Sequence, residues 1–100
     1  MARFDVWEIA GAPLLVVDVQ ADLLDTLATR LVVPLVPAAE AVREEVPRLR
    51  PRLVLEGVEY VLNTPEMAAI PCQSLGRHVG SLEQQRDVIV DAIDFVLQGF

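Results

Sequence analysis

Residues 81–100, SLEQQRDVIVDAIDFVLQGF, have the apolar pattern of one long helix. At about 100° per residue their apolar side chains cover roughly 220° of the circumference, whereas a surface helix needs a stripe of little more than about 100°. The polar strip that remains carries Asp87, Asp91, Asp94 and Gln98. Because one small core cannot cover so wide an apolar surface, we predict a second subunit packed against Ile93, Val96 and Leu97.

Both ends of this helix carry recognisable signals. Ser81 and Gln84 have the spacing of a capping box, in which two side chains satisfy free backbone N–H groups. Gly99 can adopt the left-handed conformation that closes a helix. We therefore predict a helix that begins at Ser81 and is closed by Gly99, with Phe100 beyond it.

The composition predicts one domain, residues 1–100, that binds other proteins. The formal charge is −7 and all eight basic residues are arginine, so the long-range field opposes direct binding of nucleic acid. No apolar run approaches the ~18 residues of a membrane span, and no signal peptide is recognisable. We expect a cytoplasmic protein without membrane contact.

Side chains that support catalysis or metal binding are scarce. His78 is the one histidine and Cys72 the one cysteine, and neither has a second ligand at metal-site spacing. No glycine-rich phosphate loop occurs. The sequence therefore predicts no metal, no cofactor and a protein that is not an enzyme.

The chain before residue 81 reads mainly as β-strands. Alternating or continuous apolar runs bounded by turn residues predict strands over residues 4–9, 14–20, 30–36, 52–55, 58–62 and 69–75. Residues 10–13 form the first turn, and Glu56-Gly57 joins a hairpin. Pro34 lacks an N–H group, which places it at a strand edge or bulge.

Two short helical segments complete the pattern. Residues 38–46 are rich in alanine and glutamate and end before Pro47, which predicts a short helix. Thr64-Pro65-Glu66 predicts a single helical turn with proline at its favoured first position. Strands followed by one long helix indicate the α+β class, a small antiparallel sheet or barrel with a C-terminal helix.

Asp18 is unusual because it lies within an apolar strand, Val16-Val17-Asp18-Val19. An unpaired buried charge is costly, so this carboxylate must pair or reach the surface. Gln20 shares its face of the strand, and Asp22 would share it if the strand continued. A polar outer face and a binding site both fit this pattern.

In order and spacing the whole chain resembles the CcdB family, the dimeric toxins of bacterial toxin–antitoxin modules that poison DNA gyrase. The matching pieces are Val17-Asp18-Val19-Gln20, Asp22, Asp25-Thr26, residues 30–35 with Pro34, Met67-Ala68, Ile70-Pro71 and Gly99. The resemblance implies an SH3-like antiparallel barrel with a small added sheet and a C-terminal helix. It also implies a homodimer whose two chain ends lie together.

The resemblance further implies two protein partners. Family members insert a terminal Trp-Gly-Ile into the gyrase A subunit and perform no covalent chemistry, and Gln98, Gly99 and Phe100 occupy those positions here. A cognate CcdA-like antitoxin binds around the strand that carries Asp18, Gln20 and Asp22. The carboxylates of Asp18 and Asp22 can accept arginine pairs from a disordered antitoxin tail.

Gln98 keeps alternatives open because it replaces the tryptophan that stacks on a gyrase arginine. One alternative is a CcdB-like interaction protein that has lost gyrase or changed its target. Another is an mRNA interferase of the same fold, whose activity would depend on Arg30 or His78. An acidic chain with one histidine fits that third function poorly.

Overall fold

The computed structural model describes residues 2–41 and 46–99, and within them seven β-strands form one antiparallel sheet followed by one α-helix. The elements are β1 (Asp5–Ile9), β2 (Leu15–Asp18), β3 (Thr29–Pro37), β4 (Arg52–Leu55), β5 (Val58–Leu62), β6 (Ala68–Pro71), β7 (Leu75–Ser81) and α1 (Arg86–Gln98). The sheet curls into a half barrel, which confirms the predicted α+β class with its C-terminal helix.

The strand order is β4-β5-β3-β2-β1-β7, and β6 pairs separately with β3. β3 therefore pairs with β2 along one side, while β6 and β5 share its other side. The predicted additional sheet is not separate from the first, because Val36 and Pro37 of β3 pair with β5 and bring the β4–β5 hairpin into the same sheet. The SH3-like topology remains a prediction.

Pro34 lies within β3, where the second neighbouring strand changes. Residues up to Val32 pair with β6, and residues from Leu35 onward pair with β5. Pro34 lies between the segment of β3 that pairs with β6 and the segment that pairs with β5. No backbone hydrogen bond to either strand needs an N–H donor at this position, so the proline removes none. Its carbonyl still accepts the Asn63 N–H at 2.9 Å. Pro34 was predicted at a strand edge or bulge, and it lies instead in a central strand, at a gap between two neighbouring strands.

The main core lies between the sheet and α1. The helix contributes Ile89 and Ala92 to this core. The other buried side chains lie in or next to the strands β1 to β5 and β7: Phe4, Val6, Val17, Val19, Val33, Leu35, Leu53, Leu55, Leu62 and Leu82. Val16 and Asp18 alternate with Val17 and Val19, so they point to the opposite face, yet they are buried too. Both faces of β2 are therefore covered.

Two predicted turns are confirmed. Glu56 and Gly57 join β4 to β5 with φ of 53° and 76°, the paired positive values of a two-residue hairpin turn. A single 3₁₀ turn spans Thr64–Glu66, with Pro65 near its start. Both turns were predicted from the residues within each turn.

Two predicted elements are wrong. The helix expected over residues 38–46 is a 3₁₀ turn, Ala38–Glu40, that ends at an extended Ala41, while residues 42–45 lie outside the described part. The strand expected over 69–75 ends at Pro71, and a 3₁₀ turn at Cys72–Ser74 precedes β7. In this second case Pro71 and the polar residues after it end the strand, although the apolar pattern continues to Leu75.

The C-terminal helix is shorter than predicted. Ser81 is the last residue of β7, and its hydroxyl accepts the Glu83 N–H at 3.1 Å rather than capping α1. A 3₁₀ turn at Glu83–Gln85 leads into α1, which has no side-chain cap at its start. Gly99 closes the helix as predicted, with φ of 79° and its N–H bonded to the Phe95 carbonyl. No helix in the described residues is long and apolar enough to cross a bilayer.

Gln85 connects the start of α1 to the outer edge of β4. Its side-chain carbonyl accepts the Val54 N–H at 3.0 Å, and its amide donates to the Val54 carbonyl at 2.7 Å. The side chain thus makes the hydrogen bonds of a neighbouring strand at β4, which ends the strand order and has no strand partner on that side within the described residues. This contact draws the two ends of the sheet toward each other.

Candidate interaction site

Asp18 pairs with Arg30 inside the protein. Both side chains are 0% exposed, and Nε and Nη2 of Arg30 both donate to Oδ2 of Asp18, the former at 2.9 Å. The second carboxylate oxygen accepts the Gln20 N–H at 3.0 Å. Of the two outcomes predicted for Asp18, pairing is the one observed. Arg30 was not predicted from the sequence as the partner of Asp18.

Gln20 holds the segment that follows β2. Its amide donates to the Leu24 carbonyl at 2.7 Å, and its side-chain carbonyl accepts the Leu31 N–H at 3.0 Å. The side chain is buried. These bonds fix a 3₁₀ turn, Asp22–Leu24, against the start of β3. Gln20 is therefore a structural support for the turn beside it.

Asp22 is the predicted antitoxin contact that reaches the surface. It is exposed, and its Oδ1 accepts the Arg3 N–H at 2.8 Å. Asp18 and Gln20 are enclosed in this structure, so a partner's arginine reaches neither without a rearrangement. Antitoxin binding by the three residues stays a prediction, in which Asp22 supplies the accessible carboxylate.

The turn beside Asp22 and the residues that follow it expose leucine side chains that were not predicted from the sequence as a binding surface. Leu23 is 95% exposed, and Leu24, Leu27 and Leu31 are between 36% and 49% exposed. Large exposed apolar patches mark protein interaction surfaces. The sequence feature that indicates this surface is the adjacent pair Leu23-Leu24, because the surrounding segment is too short and too polar to bury two leucines.

The C-terminal residues of the candidate site lie at the end of α1. Leu97 is 68% exposed, Gln98 and Gly99 are exposed, and Phe100 lies outside the described residues. Ile93 packs partly against the main core, and Val96 is half-buried. Of the three predicted dimer contacts, Leu97 is thus the one that the chain's own fold leaves uncovered.

Part of the wide apolar surface of α1 is covered by Arg48. Its guanidinium lies 4.8 Å from the centre of the Phe95 ring, and Nε and Nη2 each donate to a different oxygen of Asp91 at 2.8 Å. The hydrogen bond from Arg48 lowers the pKa of Asp91, and the same bond raises the pKa of Arg48. We call this contact the Arg48 clamp. It reduces the apolar area left for a second subunit.

Every arginine in the described residues donates a hydrogen bond within the chain. Arg48, Arg52, Arg77 and Arg86 bond to carboxylates at the surface, and Arg3, Arg30 and Arg50 bond to other acceptors or to the buried Asp18. A polyanion would have to displace these partners. Within the same residues, no group of three or more possible metal ligands is assembled.

Solved structures that share this fold include two endoribonucleases. One is an endoribonuclease in complex with its cognate antitoxin, from a mycobacterial species, with a TM-score of 0.79 and 15% identity over 97% of this chain and 94% of that one. The other is an endoribonuclease from a mycobacterial species, with a TM-score of 0.77 and 16% identity over 97% of this chain and 90% of that one. At such identities the likeness establishes the fold.

The expectation that the protein is not an enzyme is contradicted by these two structures, since both proteins of the same fold are endoribonucleases. The expectation rested on the absence of catalytic motifs along the sequence. Catalytic groups on a curled sheet come from different strands, so their spacing in sequence need not reveal them.

The family comparison covers almost all of the chain. A family model named CcdB, and described as CcdB protein, matches residues 3–99. That span includes the Asp18 strand, the leucine-bearing turn and α1 up to its glycine cap. The chain belongs to the CcdB family, as its sequence pattern predicted.

Proposed function

We propose that this protein is the toxin of a toxin–antitoxin module, neutralised by a cognate antitoxin, and that its C-terminal end inserts into the DNA gyrase A subunit. Membership of the CcdB family over residues 3–99 is the observation that carries this proposal. The proposed gyrase contacts are Gln98, Gly99 and Phe100. The proposed antitoxin contacts are Asp18, Gln20 and Asp22.

The end of α1 suits an inserting role. Gly99 is fixed in a left-handed turn by the bond from its N–H to the Phe95 carbonyl, 2.7 Å long. A left-handed glycine with this bond ends the helix at a defined residue. Exposed Leu97 adds an apolar side chain to the same end. This geometry supports a short, preorganised contact with a protein groove.

We further propose a homodimer that uses this helix, with Leu97 at the contact and Ile93 and Val96 beneath it. The exposure of Leu97 and the incomplete cover of the other two support this. The exposed Leu23-Leu24 turn supplies a second apolar surface for a protein partner. A toxin that must bind both target and antitoxin needs more than one such surface.

Binding of the gyrase A subunit to Gln98→Trp tests the gyrase proposal. Restoring an aromatic hot spot should strengthen binding by roughly thirtyfold, which is about 2 kcal/mol. Gln84→Trp, at an exposed position before α1, is the matched control and should leave affinity unchanged. No gain from Gln98→Trp would mean that the helix end contacts a different target.

An endoribonuclease is the second candidate function. The two endoribonucleases of the same fold support it, and so does a half-exposed histidine beside a carboxylate, His78 and Asp5, 3.4 Å apart. Incubating the purified protein with a mixed-sequence RNA tests this function. Cleavage would add a catalytic activity to the proposed toxin, and intact RNA would exclude it.

A further inference from the structure

β4 ends the strand order, and within the described residues it pairs with β5 alone. In an antiparallel pair, the backbone N–H and C=O groups of alternate residues point toward the neighbouring strand, and those of the residues between them point away. The Pro51 carbonyl accepts the Leu62 N–H at 2.9 Å, so position 51 points toward β5. The backbone groups of Arg52 and Val54 therefore point outward, where an edge strand can pair with another chain.

Gln85 occupies half of this outward edge. Its side-chain carbonyl accepts the Val54 N–H at 3.0 Å, and its amide donates to the Val54 carbonyl at 2.7 Å. Both outward backbone groups of Val54 are thus already paired. Within β4 this leaves the outward groups of Arg52, and Pro51 before it has no N–H group to extend the edge. One residue is too short a ladder to hold a further strand.

Gln85 makes these bonds from a position that usually serves the helix. It immediately precedes α1, and no side chain caps the first turn of that helix. Ser, Thr, Asp or Asn at such a position accepts an N–H from the first turn, which stabilises a helix by about 1 kcal/mol. The longer side chain of Gln85 reaches β4 instead. The contact with β4 is therefore not a by-product of helix capping.

Without Gln85, the outward edge of β4 is complementary to a second copy of itself. In an antiparallel arrangement centred on Leu53, Arg52 of one chain lies opposite Val54 of the second copy, so the outward backbone groups of each strand meet those of the other. No like charges then lie directly opposite each other. Arg52 has its counter-ion, Glu59, on its own chain, and the Val54 side chain is 50% exposed.

We propose that β4 is a strand-addition edge for a second copy of this chain, and that Gln85 keeps this edge closed. The occupant is another β4 strand in the antiparallel register centred on Leu53. This contact lies on the sheet edge and is separate from the interface proposed on α1. Gln85 thereby limits the protein to the assembly that its other surfaces form.

Sedimentation velocity over a concentration series tests this proposal with the wild type, Gln85→Ala and Gln85→Ser. Both changes remove the side-chain amide. Gln85→Ser can also cap α1, which offsets the lost bonds and keeps the chain folded. We expect species of twice the wild-type mass in both variants as the concentration rises. Gln84→Ala, at an exposed neighbouring position, is the matched control and should sediment like the wild type.

A proline variant tests where the added contact lies. Val54→Pro removes an outward N–H group that strand addition needs, but it leaves the bonds to β5 in place, because Leu53 and Leu55 make those bonds. Combined with Gln85→Ala, it should return the sedimentation to that of the wild type. In Gln85→Ala alone, the Val54 amide should exchange fast in dilute solution and more slowly as the concentration rises.

Two results would overturn the proposal. If folded Gln85→Ala and folded Gln85→Ser sediment like the wild type at every concentration, the opened edge accepts no strand. If higher-mass species form but persist when Val54→Pro is added, the contact lies elsewhere on the molecule. Circular dichroism establishes that each variant is folded.

Discussion

Arg30 at the start of β3 neutralises Asp18 at the end of β2, and neither side chain reaches solvent. Asp18 pairs with Val32 across the strands, and Arg30 lies two residues earlier, on the same face of β3. The ion pair therefore locks the register of the two strands beneath the Asp22–Leu24 turn. The exposed candidate surface rests on a buried charged contact.

Replacing Arg30 alone should destabilise the protein strongly. Arg30→Met leaves the Asp18 carboxylate buried without its partner, which typically costs about 3–5 kcal/mol. Arg52→Met, at an exposed pair with Glu59, should cost less than about 1 kcal/mol. Urea unfolding measures both. The double variant Asp18→Val with Arg30→Met should recover much of the loss, and no recovery would count against a charge effect.

Gln85→Ala should loosen the edge of β4. The change removes two hydrogen bonds to the backbone of Val54, each contributing about 0.5–1.5 kcal/mol. Hydrogen exchange of the Val54 amide should accelerate, and Gln84→Ala should leave it unchanged. Equal exchange in all three proteins would show that the β4 edge is protected by something other than Gln85.

The Arg48 clamp should respond to acid. The hydrogen bond from Arg48 lowers the pKa of Asp91 below its ordinary 3.8. The contribution of this ion pair to the stability of the folded protein is therefore complete above about that pH. It is lost as the pH falls through the lower pKa that Asp91 has in the folded protein. Arg48 stays charged throughout, since the same bond raises its pKa. NMR titration should show the Asp91 pKa rising in Arg48→Met. An unchanged value would contradict the clamp.

Leu97→Asp should separate the proposed dimer without unfolding the chain. Leu97 is 68% exposed in the single chain, so a charge there costs the monomer little but is costly in an apolar interface. Sedimentation should change from dimer to monomer, while circular dichroism stays the same. Val88→Asp, also exposed on α1, serves as control. A Leu97→Asp dimer of unchanged affinity would place the interface elsewhere.

Local signals predicted those parts of the fold that depend on local chemistry. The Glu56-Gly57 hairpin, the Thr64–Glu66 turn and the Gly99 cap were all predicted from residues within each turn, and all three are present. β1, β2 and β3 followed from apolar patterns and differ from prediction only at their ends.

Features that depend on distant contacts were missed. β7 contains Gly76 and Gly80, which weaken a strand pattern, and Gly80 lies where an added Cβ would be 3.1 Å from Leu55. Ser81 matched a capping box but is used by the end of β7. The partner of Asp18 depends on the register between β2 and β3, and the partner of Val54 depends on the turn before α1 reaching β4, so neither could be predicted from local pattern.

The most direct test of the proposed toxin function is growth of a bacterial host after the protein is induced, with and without the antitoxin from its own operon. We predict that growth stops on induction and resumes when the antitoxin is expressed with it. Normal growth of cells that contain the folded protein at high level, without any antitoxin, would contradict the account.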